Sequence, residues 1–185
     1  MDDGARFYRR YLDGDESGFD ELIGLYHDNL IFFINRHVKN FAAAEDLAAD
    51  CFMELIVHKK RYSFKSSFKT YLFSIARHKA IDYIRRERRF TSLPEEEMPE
   101  DVSDADTVER AVITGDEKRA VQAAIAGLSQ DYATYLHLAV FEELENDEIA
   151  RVMKKSKKQL ANIAYRAKNA LRAALVGSER KEESV

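Results

Sequence analysis

The sequence has no tryptophan, one cysteine (Cys51), two prolines and seven glycines. So few turn-forming residues among 185 positions leave too little for the tight turns of an all-β fold. A lone cysteine excludes an internal disulfide, and a cytoplasmic protein is the simplest reading. No apolar run is long enough to cross a bilayer, so membrane insertion is not expected. The opening residues MDDGARFYRR lack the apolar core of a signal peptide. A glycine-rich phosphate loop is missing. The five histidines (His27, His37, His58, His78 and His137) and Cys51 show no zinc-type spacing, so neither metal nor cofactor is expected. No Ser/His/Asp grouping stands out, and nothing reads as the catalytic site of an enzyme.

What is present points to helix. Hydrophobic residues make up 45% of the chain, enough for a core, and Ala, Leu, Lys and Glu are abundant. Phe7, Tyr8, Tyr11 and Leu12 predict a short helix ending near Gly14. Phe19, Leu22, Ile23, Tyr26, Leu30, Phe33 and Ile34 recur at the spacing of a long amphipathic helix. Ala44, Leu47, Ala48, Cys51, Phe52 and Leu55 mark another, over Glu45–Lys59, with Glu45 and Asp46 in a first turn where acids suit the helix dipole. A serine-rich loop (Ser63, Ser66, Ser67) precedes a helix from Phe68 to Arg89, packed through Phe68, Leu72, Ile75, Ala76 and Tyr83. Residues 94–115 hold both prolines, many acids and little periodicity, and read as an acidic flexible linker. Helical patterning resumes over about 116–127, 130–144, 146–153 and 156–175. The expected fold class is all-α: two small helical domains, 1–93 and 116–176, joined by the linker and followed by a polar tail, 177–185.

The net charge of −4 hides sharp segregation. Residues 1–58 carry 5 Lys/Arg against 12 Asp/Glu, whereas residues 59–93 carry 11 against 2. Residues 95–117 hold 10 acids and a single base, Arg110, and residues 154–176 hold 7 bases and no acid. Most charge runs are solvated helix faces. Two basic blocks this pure, interleaved with aromatic or amide side chains, point to a polyanion.

In the second basic block, Asn146 reads as a helix N-cap with Asp147 and Glu148 in the first turn. After a tight turn, Ser156 and Gln159 have the spacing of a capping box. The following helix buries Leu160, Ile163, Ala164, Ala167 and Leu171 and exposes Lys158, Ala161, Asn162, Tyr165 and Arg166. A short helix, a turn and a longer helix with a basic start make a helix-turn-helix candidate, whose second helix enters the major groove. Lysines and arginines there can neutralise phosphates, while Asn, Gln and Arg can pair with base edges. The turn carries Lys154 or Lys155 where glycine is usual. A plain helical hairpin with a solvated basic face is the alternative.

The first basic block mixes rings and cations. Phe64, Phe68, Tyr71, Phe73 and Tyr83 alternate with Lys65, Lys69, Arg77, Lys79, Arg85 and Arg86. Single-stranded nucleic acid uses both: bases stack on rings while cations follow phosphates. Phe68, Leu72 and Phe73 are expected in the core. Tyr71, Ser74, His78, Asp82 and Arg85 fall on a separate helical face, a polar stripe ending in a ring and suited to an extruded base.

The stretch AAEDLAADCFMELIVHKKRYSFKSSFKTYLFSIARHKAIDYIRRERR resembles the second conserved region of bacterial sigma factors of the extracytoplasmic-function (ECF) class. The stretch from AVQAAIAGLSQ to YRAKNALRAAL resembles that family's fourth region, and the acidic segment falls where the family has its linker. The resemblance implies a promoter-specificity subunit that binds core RNA polymerase (clamp coiled coil and flap) and promoter DNA and is held in check by an anti-sigma factor. It implies that minus-ten DNA meets Phe64, Lys65, Ser66, Ser67, Lys69, Tyr71 and Ser74, and then Arg77, His78, Lys79, Asp82, Arg85 and Arg86. The minus-thirty-five element would meet Lys155, Ser156, Lys157, Lys158, Gln159, Asn162, Tyr165 and Arg166. The polymerase clamp would meet Glu45, Asp46, Leu47, Asp50 and Glu54. Tyr71 stands at a ring position often held by tryptophan, and His78 where asparagine is common. From the residues alone, a free-standing helix-turn-helix regulator and a helical protein–protein module stay open beside this reading.

Overall fold

The computed structural model describes residues 2–91 and 116–182, so the acidic segment 94–115 lies outside the described residues. The described residues form eight α-helices and one π-helical turn, with no strand. None of these helices is long and apolar enough to cross a membrane. The chain divides into two compact units, Met1–Val102 and Ser103–Val185.

In the first unit, α1 (Asp3–Leu12) leads into α2 (Ser17–Val38), α3 (Phe41–Val57) and α4 (Phe68–Thr91). Leu22, Tyr26, Leu30, Phe33, Ile34 and His37 recur every three or four residues along α2 and are buried. They meet Ala44, Ala48, Cys51 and Leu55 of α3 and Phe68, Leu72, Phe73, Ala76 and Ala80 of α4. Aromatic rings carry much of this core: Phe33 meets Phe73 edge-on at 5.0 Å, and Phe68 meets Tyr8 at 5.2 Å. Close approach is built in at Gly4, where a Cβ would sit 2.6 Å from the Tyr26 hydroxyl and 2.8 Å from the Phe68 ring. Tyr8 is fully buried, and its hydroxyl lies 3.0 Å from the carbonyl oxygens of both Leu55 and Lys59. That bond covers carbonyls left open at the end of α3. Burial raises the Tyr8 pKa above the usual phenol range.

One boundary corrects the sequence reading. Helix α3 begins at Phe41 because Asn40 caps it, accepting from the Ala43 N–H at 3.1 Å. Glu45 and Asp46 therefore lie in the second turn, beyond the strongest part of the dipole. Ile75 and Tyr83 are half-buried; the deep contacts of α4 are made by Phe73, Ala80 and Thr70 beside Phe68, Leu72 and Ala76.

The second unit contains α5 (Asp116–Ala126), α6 (Gln130–Leu136), a π-helical turn (His137–Phe141), α7 (Asn146–Met153) and α8 (Lys157–Glu182). Its core holds Ile125, Leu136, Leu138, Ile149, Val152, Met153, Leu160, Ala164 and Ala167. The π turn places residues five apart on one face. It brings the His137 Nε2 within 3.4 Å of Glu142 Oε1, both buried. The backbone of α8 continues to Glu182, past the expected end near residue 175, and takes in part of the expected polar tail.

Candidate nucleic-acid interface

The turn between α7 and α8 is set by local chemistry. Lys154 adopts the left-handed conformation (φ 53°) that glycine usually supplies. Its N–H donates to Arg151 O at 3.2 Å, and the Lys155 N–H donates to Ala150 O at 3.0 Å, the paired bonds of a Schellman ending. Ser156 and Gln159 form the capping box: the Gln159 side chain accepts from Ser156 N–H at 2.9 Å, and Ser156 Oγ accepts from Gln159 N–H at 3.2 Å. Asn146 is not the cap of α7. That position is Glu145, whose N–H donates to the Glu148 carboxylate at 3.1 Å. The Asn146 side chain instead accepts from the Tyr135 hydroxyl at 3.2 Å, tying α7 to α6.

Lys158, Asn162, Tyr165 and Arg166 are all exposed on one face of α8, and Tyr165 is 71% exposed. Two lysines assigned to DNA by the sequence reading hold acids of their own unit. Lys155 is half-buried and bonds Asp131 at 3.0 Å; Lys157 bonds Asp147 at 2.8 Å. The Lys157 hydrogen bond pulls the Asp147 pKa below the ordinary carboxylate value. Ser156 and Gln159 are committed to the cap. Of the eight residues assigned to DNA, all but Lys155 are exposed, and four (Lys155, Ser156, Lys157 and Gln159) make these bonds within the unit.

In the first unit, residues 61–67 form an irregular loop ahead of α4. Ser67 is spent on structure: its Oγ accepts from Thr70 N–H at 3.2 Å and shares a 2.7 Å bond with the Thr70 hydroxyl. Asp2 secures the same helix start, accepting from Phe68 N–H at 2.8 Å while also capping α1 through Ala5 N–H at 2.8 Å. The Tyr62 hydroxyl donates to Ser66 O at 2.6 Å, and its ring stacks on Tyr71 at 5.0 Å and 25°. Burial raises the pKa of both phenols, that of Tyr62 to about 12. Both therefore stay neutral and stack as uncharged rings.

Along α4, Ser74 Oγ donates to Thr70 O at 2.6 Å. His78 Nδ1 lies 3.4 Å from Asp82, and Asp82 lies 3.6 Å from Arg85. The stripe Tyr71, Ser74, His78, Asp82, Arg85 forms one half-buried to exposed face, with Lys65 and Arg86 also exposed and Phe64, Ser66, Lys69 and Arg77 half-buried. Lys79 points elsewhere: its Nζ lies 3.2 Å from Glu54 of α3. Glu54 also takes Arg61, at 2.7 Å. Glu54, assigned to one docking face with Asp46 and Asp50, is thus engaged by two bases of its own unit. Four-residue spacing does place them in a row. Helix α3 also packs against α4, and at Glu54 the row turns inward to a basic partner. Glu45, Asp46 and Asp50 remain exposed, and Leu47 is half-buried.

Several participants were missed from sequence. Met53 (53% exposed) and Val57 (66%) extend the Asp46–Asp50 row with apolar surface. Their i+3 and i+7 spacing from Asp50 was the available signal. Asp2 and Arg9 reach α4 or the loop from distant positions, and no local pattern marks them or the loop's own Arg61 and Tyr62.

Residues 22–90, spanning most of α2, all of α3 and nearly all of α4, match sigma-70 region 2. Curated relatives extend the likeness along the chain. The ECF RNA polymerase sigma factor SigW of Bacillus subtilis is 26% identical over 170 residues, covering 88% of this chain and 91% of its own. The RNA polymerase sigma-H factor of Pseudomonas aeruginosa is 29% identical over 170 residues, covering 88% of each. Among solved structures, the sigma factor RpoE in complex with the anti-sigma factor NepR, from Bartonella quintana, shares the fold at TM-score 0.68 and 20% identity. That match covers 85% of this chain and 96% of RpoE. The helical first unit contains a sigma-70 region 2. Along most of its length the chain is similar to RNA polymerase sigma factors of the ECF class.

Proposed function

We propose that the two basic faces divide promoter recognition between them. The face of α4 and loop 61–67 takes the minus-ten element, with Phe64, Tyr71, Ser74 and His78 around an unpaired base and Lys65, Arg77, Arg85 and Arg86 along the phosphates. The exposed face of α8 takes the minus-thirty-five element, with Asn162 and Arg166 reaching base edges and Lys158 a phosphate. The division 1–93, 94–115, 116–176 and 177–185 then has a functional sense: minus-ten and polymerase binding, acidic linker, minus-thirty-five binding, tail. The observation that carries this reading is the exposed Lys158–Asn162–Tyr165–Arg166 face, presented behind a helix start fixed by the Ser156–Gln159 box.

Glu45, Asp46 and Asp50, with Met53 and Val57, form an acidic and apolar helix face suited to docking on a polymerase helix. The chain works in the cytoplasm beside the polymerase. Because the similar RpoE is seen with an anti-sigma factor, a protein that covers these faces is a further partner. The acidic linker cannot favour DNA and suits a path otherwise taken by RNA. The decisive experiment is run-off transcription by this chain with core polymerase on a genomic promoter library. Transcripts should start downstream of one shared pair of elements. A free-standing helix-turn-helix regulator would instead give a specific footprint without polymerase, and the curated relatives speak against it.

A further inference from the structure

Phe64 has a φ of +59°, the left-handed region that phenylalanine rarely occupies. Something other than backbone preference holds it there, and two contacts fall on its ring. Tyr62 packs against that ring at 4.5 Å between centroids. The guanidinium of Arg9, on α1, lies over it at 4.6 Å. Tyr62 is itself fixed, 5% exposed and bonded to Ser66 O. Arg9 is exposed and, among the described residues, has no acidic partner. Its neighbours differ: Arg6 pairs with Asp3, and Arg10 with Asp15 and Glu21. The one cation of α1 without an acid is thus the one laid on the strained ring.

We propose that Arg9, outside the residues matched to sigma-70 region 2, is a positioning residue for strand opening. It holds Phe64 in its left-handed conformation by stacking a planar cation on the ring. Loop 61–67 then presents an ordered rim, instead of a mobile turn, to the unpaired base. The inference rests on the reading that this loop receives a minus-ten base. Arg9 acts through Phe64; the alternative is that it binds a phosphate directly.

The two roles separate in a mutant cycle. Open-complex formation is measured with the full chain and core polymerase, on duplex and pre-melted promoters, for Arg9→Ala, Phe64→Gly and the double variant. Glycine suits the positive φ, so Phe64→Gly removes the ring without straining the backbone. A thermal melt of each variant checks the fold. Arg9→Ala should slow opening on duplex about two- to fivefold, the worth of one exposed cation–π contact. The loss should be smaller on pre-melted DNA, the salt dependence unchanged, and the double variant no slower than Phe64→Gly. Additive losses, or a salt slope lowered by about one, would make Arg9 a phosphate contact and overturn the proposal. Slower opening for Phe64→Gly with no effect of Arg9→Ala would sink the role of Arg9 alone. No effect of Phe64→Gly would remove the reading of the loop itself, and Arg9 with it.

Discussion

Lys154 shows how much one side chain can be made to tolerate. The left-handed conformation costs a non-glycine residue about 1–2 kcal/mol, and glycine gives back part of that through its freer unfolded chain. Lys154→Gly should therefore stabilise the second unit by about 0.5–1 kcal/mol, read as a higher thermal midpoint. A lower midpoint would mean that the lysine side chain makes a contact worth more than the strain. Cys51 is the opposite case, a residue wholly at ease. It is fully buried on α3, and burial pushes its thiol up to about 12. Since the folded value lies above the unfolded one, the neutral thiol favours the fold below pH ~9. That contribution is lost as pH rises from there toward 12. Native protein at pH 8 should resist iodoacetamide, and protein in denaturant should be labelled at this single site. Rapid native labelling would show that α3 opens locally.

At the scale of the helix, the two sides of α3 can be tested apart. Asp46→Lys with Asp50→Lys reverses charge on exposed surface, so the melting temperature should hold while affinity for core polymerase falls. Unchanged affinity in a competition assay would return this face to plain solvated surface. Within α8, Asn162→Ala should alter preference at one or two upstream base positions, by roughly 1–3 kcal/mol. Lys158→Ala should weaken all sequences alike and lower the salt slope by about one. The measurement is holoenzyme affinity across upstream-element variants at several salt concentrations, and a reversed pattern would rotate the helix away from this assignment. Helices are also where the sequence was most readable. Apolar spacing marked α2, and Ser-x-x-Gln marked the start of α8, because both signals lie within one or two turns. The inward turn of Glu54 was not readable, since it depends on Lys79 and Arg61 arriving from other elements. The same holds for Arg9 on Phe64: periodicity assigns a face, and only packing says what lies opposite. The π turn at His137–Phe141 left no mark in the apolar pattern.

For the whole molecule, charge segregation sets behaviour. Bases lie on α4 and α8, while residues 95–117 carry ten acids and one base. At long range these fields offset one another, so the free chain should bind duplex DNA weakly and with little sequence preference. An electrophoretic shift at physiological salt, with and without core polymerase, tests this. Tight specific binding by the chain alone would contradict it.

Asp2 caps α1 with one carboxylate oxygen and α4 with the other. A change that removes the Asp2 carboxylate would fray two helix starts at once, one of them that of the helix carrying the Tyr71–Arg85 stripe. Such a variant could look well folded by circular dichroism and still start transcription poorly.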